Sequence, residues 1–197
     1  MSAMPIPKFT PEEYLRRERL APFRSELFGG RIVAMAGASP VHNRIVVNLA
    51  TLLNAKFRGG PCRVYVNDQR ISIGHRQGYY YPDVVITCGK PVFSDDQRDT
   101  LTNPVVIIEV LSRSTEAYDR GEKFRDYQKI ASLQEYVLIT QSPRRFEVFQ
   151  RQPDEKWLYA SWEFSPPPIL LPSIGCTLDA DDVYSDIDFE SEGNPEP

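Results

Sequence analysis

The sequence predicts a single soluble α/β domain, and three runs of residues predict it. Pro104-Val105-Val106-Ile107-Ile108-Glu109-Val110-Leu111 has the β-branched density of a central strand. A helical stretch from Ser114 or Thr115 to about Ala131 follows, then a β-rich run from Glu135 to Thr140, and strand, helix, strand marks a parallel crossover unit. Upstream, Ile45, Leu49, Leu52 and Leu53 recur at helical spacing between Ser39-Pro40 and Arg58-Gly59-Gly60. They define an amphipathic helix of about five turns. A chain of 197 residues fits one core of ordinary domain size.

The remaining elements follow in order. Thr10-Pro11-Glu12-Glu13 reads as a helix start, with Thr10 as cap, Pro11 at the first helical position and Glu13 closing a capping box, and the helix runs to about Arg19. The apolar runs around Gly29-Gly30, from Glu26 to Val33, predict a tight hairpin because glycine accepts positive φ angles. Cys62 to Tyr65 and Arg70 to Ile73 read as strands, followed by a turn rich in Gly and Tyr and a buried strand from Tyr81 to Thr87. Arg145 to Gln150 and Trp157 to Glu163 alternate around Pro153-Asp154-Glu155 and predict an antiparallel hairpin. Pro166-Pro167-Pro168 is expected to close the regular structure, and the acidic tail after Phe189 to be disordered.

The formal charge of -4 is unevenly spread. Residues 179–197 hold eight of the 27 acids and none of the 23 bases, which leaves 23 bases against 19 acids, or +4, in the rest. That balance permits contact with a phosphate backbone without requiring it. No apolar run approaches the roughly 20 residues of a spanning helix, and the first residues lack the basic and apolar blocks of a secretory signal, so a cytoplasmic location is expected. Cys62, Cys88 and Cys176 are widely spaced with two histidines in the chain, which argues against zinc and for three buried, reduced thiols.

Glu109 is the informative residue. A carboxylate inside an apolar strand costs several kcal/mol unless something compensates its charge. Asp83, at the start of another apolar strand, is a second carboxylate in similar company. Two hard oxygen donors with neither His nor Cys nearby in sequence favour magnesium or manganese. Asp119, Lys123 and Tyr127 are spaced by four and share one helical face, which either looks into the same site or forms an exposed ion pair. A lysine beside metal-bound carboxylates stabilises charge on a phosphoryl group or polarises the attacking water.

Pro82-Asp83, Glu109-Val110-Leu111-Ser112, Ser114-Thr115 and the Asp119, Lys123, Tyr127 series, together with the Glu26 to Val33 hairpin and the His42 helix, resemble the Uma-type family of restriction-endonuclease-like bacterial domains. That family is part of the PD-(D/E)XK nuclease superfamily, and the resemblance runs from Phe9 to about Asp188. It implies a restriction-endonuclease-like core over residues 1–189, a mixed β-sheet flanked by helices with N-terminal and C-terminal hairpins, ahead of an acidic tail at 190–197. It further implies an endonuclease that hydrolyses DNA phosphodiester bonds with magnesium or manganese on Asp83 and Glu109. Glu26 resembles an early family acid, either a third metal ligand or a strand-edge charge. His42 stands where the family often carries His, for substrate contact, base chemistry or a structural role. Tyr127 is expected to fix Lys123, bond a phosphate or fill the core. The superfamily's lysine normally stands two residues after the acid, where this chain has Leu111. Lys123 resembles a lysine that has migrated to the helix, its long stem reaching back to the site. Leu111 also keeps open a catalytically inactive module that binds nucleic acid or a protein partner, and a third reading is a structural domain in which Asp83, Glu109 and Lys123 form a buried ionic cluster without metal. Tyr79-Tyr80-Tyr81 can stack bases or form a β-rich turn, and Arg113, Arg120, Arg125 and Lys129 can track a backbone or form a solvated face. Superfamily members often pair, so a homodimer is expected.

Overall fold

The structure, a computed structural model, describes residues 8–35, 37–73, 78–165 and 167–189. The first helix, α1 (Pro11–Glu18), has the full capping box between Thr10 and Glu13. It leads into the hairpin of β1 (Ser25–Phe28) and β2 (Arg31–Ala34), turned by Gly29 and Gly30 with φ of 54° and 80°. Helix α2 (Pro40–Phe57) starts from an N-cap at Ser39 and buries Val41, Ile45, Val46, Leu49, Leu53 and Phe57.

A six-stranded mixed sheet forms the centre. Its order is β11 (Trp157–Glu163), β10 (Arg145–Arg151), β9 (Glu135–Thr140), β8 (Val106–Leu111), β6 (Val84–Cys88), β3 (Cys62–Val66). β8 and β9 are parallel, Glu109 opposite Leu138, as the crossover pattern requires, and the other neighbours are antiparallel. β8 is buried along its whole length because both of its faces are covered. Val106, Ile108 and Val110 pack toward α2, whereas Ile107 and Leu111 pack into a second layer with Tyr80, Tyr127 and Tyr136. Glu109 shares the parity of that second layer.

A second sheet, β2-β1-β5-β4-β7, adds β4 (Arg70–Ile73), β5 (Gly78–Tyr80) and β7 (Thr100–Leu101). Tyr79 and Tyr80, expected in a turn, are therefore strand residues, and Tyr81 follows the strand. All three tyrosines are buried, at 0%, 0% and 3% exposure, which removes them as base-stacking groups. The crossover helix is shorter and less regular than predicted. It comprises α3 (Glu116–Tyr118), a π-helical turn (Asp119–Lys123) and α4 (Phe124–Tyr127). It stops at Tyr127 rather than Ala131 because the chain turns to bury Ile130 and Leu133.

The proline run does not end the regular structure. β12 (Ile169–Leu171) and β13 (Cys176–Leu178) form a small hairpin whose alternate residues face the main core, and α5 (Ala180–Val183) follows, capped by Asp179. The residues of the acidic tail at 190–197 lie outside the described ones. The expectation of three reduced thiols is also corrected. The β3–β6 register sets Cys62 directly opposite Cys88, and the two form a disulfide, leaving Cys176 as a buried free thiol. Among the described residues, no helix is long and apolar enough to cross a membrane.

Candidate active site

Glu109 projects from the middle of β8, and the structure supplies what its burial demands. Its Oε1 accepts from Lys123 Nζ at 2.9 Å and from Tyr127 OH at 2.9 Å. Its Oε2 has a longer contact, 3.4 Å, with the backbone N–H of Asp83. Asp83 sits at the entry to β6, the strand beside β8. Its Oδ2 accepts from Val110 N at 2.8 Å and lies 3.2 Å from His42 Nε2, on the first turn of α2. Because a carboxylate oxygen accepts, Nε2 is the protonated nitrogen of His42. Asp83 Oδ1 has no hydrogen-bond partner among the described residues.

Lys123 draws three carboxylates from three elements. Its ammonium lies 2.9 Å from Glu109, 3.3 Å from Asp119 on the π turn and 3.4 Å from Glu26 on β1. Asp119 is within ion-pair distance but out of hydrogen-bond alignment, and its Oδ1 has no other partner. Glu26 Oε1 also accepts from Tyr81 N at 3.0 Å. Lys123 and Asp119 are 6% and 3% exposed, so the exposed-ion-pair reading does not hold. Glu26 is 6% exposed on a strand paired on both sides, so it is not a strand-edge charge.

Charge counting explains the protonation behaviour. Burial and the negative neighbours Asp119, Asp83 and Glu26 push the Glu109 carboxyl up to about 8, with Lys123 acting in the opposite direction. Burial likewise raises Glu26 despite Lys123 and the Tyr81 N–H. Burial alone would lower the Lys123 ammonium, yet Glu109, Glu26 and Asp119 together hold it well above the usual lysine range. Burial raises the Tyr127 hydroxyl, which therefore remains a donor to Glu109.

These groups border a cleft of about 1170 Å³, with Glu26, His42, Asp83, Glu109, Asp119 and Lys123 in its lining. Asp83 and Glu109 each have one oxygen held by two protein donors and a second oxygen held weakly or not at all. Hard oxygens in that arrangement fit a divalent cation such as magnesium, which keeps several waters and takes one or two carboxylates. No group of three or more His, Cys, Asp or Glu placed to hold a metal is present among the described residues. Glu26 lies 3.4 Å from Lys123 Nζ.

Leu111 is buried at 3% exposure in the second core layer, so Lys123 is the lysine that meets the acid. Arg120 is spent on Glu147 and Glu116, and Lys129 on Asp126, which leaves Arg113 and Arg125 as the exposed members of the basic group with no ion pair among the described residues. The four-residue spacing made the Asp119–Lys123 ion pair legible in the sequence, although not its burial. Gln141 was not visible in sequence at all. Its Nε2 donates to Leu111 O at 2.9 Å and its Oε1 accepts from Ser39 Oγ at 2.6 Å, bracing the cleft.

Residues 11–180 match the Uma2 family model, described as "Putative restriction endonuclease". Two proteins of Synechocystis sp. (strain ATCC 27184 / PCC 6803 / Kazusa), both described as uncharacterized, are similar in sequence. The protein sll1609 is 41% identical over 149 residues, 76% of this chain and 84% of its own length. The protein slr1290 is 38% identical over 187 residues, 94% of this chain and 96% of its own. The crystal structure of "a putative nuclease belonging to DUF820" from Anabaena variabilis ATCC 29413 superposes with a TM-score of 0.74 at 18% identity, covering 92% of this chain and 98% of that one, so the two share a fold. With a model match over most of its length and relatives near 40% identity, the chain belongs to the Uma2 family of restriction-endonuclease-like proteins.

Proposed function

We propose that this protein is a divalent-metal-dependent endonuclease that hydrolyses DNA phosphodiester bonds. One observation carries the reading: Asp83, at the entry to β6, and Glu109, on the adjacent β8, both line the cleft, and each has one oxygen held by two donors, Val110 N and His42 or Lys123 and Tyr127, and a second oxygen held weakly or not at all. In this reading magnesium or manganese binds Asp83 and Glu109, and the bound cation supplies a water of lowered pKa and neutralises phosphoryl charge.

The chain's own residues do the rest. His42 and the Val110 N–H orient Asp83, and Tyr127 orients Glu109. Lys123 keeps its proton, so it acts as a fixed positive charge toward the developing phosphoryl oxyanion and not as a base. Glu26 and Asp119 are positioning residues that hold the ammonium in place and charged.

The test is nicking of supercoiled plasmid with magnesium or manganese by the native chain and by Asp83→Ala, Glu109→Ala and Lys123→Met. Cutting by the native chain that drops on the order of 10²-fold or more in each variant supports the reading. A native chain that binds DNA without cutting it under either metal supports the inactive nucleic-acid-binding module instead.

A further inference from the structure

The cleft is short of positive charge. Its lining carries six carboxylates (Glu26, Asp68, Asp83, Glu109, Glu116 and Asp119) but two cations of fixed charge, Lys123 and Arg113. Lys123 is already committed to three of those carboxylates. Arg113 is exposed at the rim and makes no ion pair among the described residues. Of the cations near it, Arg120 pairs with Glu147 and Glu116, Lys129 with Asp126, and Arg145 with Glu147 and Glu163, while Arg44 and Arg125 are exposed and without an ion pair among the described residues but lie outside the lining.

What the rim offers in place of charge is neutral hydrogen bonding. Ser112 Oγ lies 3.0 Å from both Ser114 Oγ and Thr115 Oγ1, forming a hydroxyl cluster around Arg113, and Asn43, Asn67 and Ser142 also border the cleft. Hydroxyls and amides position a phosphate without displacing a counterion, whereas each neutralised phosphate releases one.

Resting on the nuclease reading, we infer that this chain grips DNA locally, over one or two phosphates at the cleft. Arg113 is the principal anchoring cation, and a long duplex gains little over a short strand. A site of this kind gives a slope of log K against log salt of about -1 to -2, where a protein tracking six to ten phosphates gives roughly -5 to -9.

The experiment is fluorescence anisotropy of the full chain with calcium, using a short DNA strand and a long duplex over a salt series, beside plasmid nicking in manganese. Similar affinity for both DNAs, a shallow slope, and an Arg113→Ala variant that flattens it by about one unit while Arg113→Lys restores it, is the expected result. A duplex preferred strongly with a slope steeper than about -5, or a slope indifferent to Arg113→Ala, overturns local grip. If the native chain nevertheless nicks plasmid, the nuclease reading survives that outcome; neither binding nor nicking overturns both.

Discussion

Arg70 and Lys123 are both cations withdrawn from water, at 3% and 6% exposure, yet they keep different company. Arg70 donates to Thr100 Oγ1 and Tyr81 OH, each at 2.9 Å, and lies 2.8 Å from Asp99 Oδ2 as an ion pair, with Arg19 sharing Asp99. Glu18, beside it, accepts from Ser25 N and Oγ and from Tyr81 OH. Lys123 instead faces an excess of acid and borders the cleft. Two carboxyls register the contrast. Burial works against Asp99, but Arg19 and Arg70 hold it well below its usual range, whereas Glu109 is pushed up to about 8. The Arg70 network balances its charges and braces the fold, whereas the Lys123 network carries surplus acid, which is what the proposed cation would neutralise.

Removing each cation separates the two roles most sharply. Arg70→Met should cost about 3–5 kcal/mol in urea denaturation, independent of added metal, because it strands buried acceptors, while the folded fraction cuts DNA as before. Lys123→Met should lower cutting on the order of 10²–10³-fold.

A pH series comes next. Glu109 holds a proton in the folded state that the unfolded chain, with its value near 4.5, has released. Its contribution is therefore full below about pH 4.5 and is lost as pH rises to about 8, on the order of a few kcal/mol. Asp99 runs the other way, contributing above its unfolded value of 3.8 and losing that contribution as pH falls further. Denaturation midpoints at pH 5 and 8.5 should therefore fall with rising pH in the metal-free native chain and fall less in Glu109→Gln.

Manganese at 100 times its Kd should stabilise the native chain by about 2.7 kcal/mol at pH 8, a gain that Asp83→Ala and Glu109→Ala abolish and Arg70→Met retains. The smallest effect belongs to Glu26→Gln. Lowering kcat roughly tenfold with KM unchanged would mark it as a holder of Lys123; loss of the manganese stabilisation would mark it as a ligand.

Much of this was legible because it is local. The capping box of Thr10 and Glu13, the Gly29-Gly30 hairpin and the period of α2 are short-range signals, and all three appear where predicted. Glu109 stood out because an acid in a β-branched run is costly, and the structure shows the compensation. What escaped depends on register between distant segments. The Cys62–Cys88 pairing follows from how β3 meets β6, 26 residues apart in sequence, and no spacing rule reveals it. Arg120 looked free because its partner Glu147 lies two strands downstream. The hairpin of β12 and β13 was hidden behind the prolines, its few apolar residues too short a run to register as strands.

Gln141 has a mechanical consequence. Its amide joins the last residue of β8 to the cap of α2 through bonds of 2.9 and 2.6 Å, so two stretches of the cleft lining are tethered at their base by a single side chain. The jaws of such a vice have a fixed gauge at the root. Accommodation of a thicker or thinner guest must come from farther out, where the loop after β8 carries Arg113, and the length of one glutamine sets the aperture around which that adjustment works.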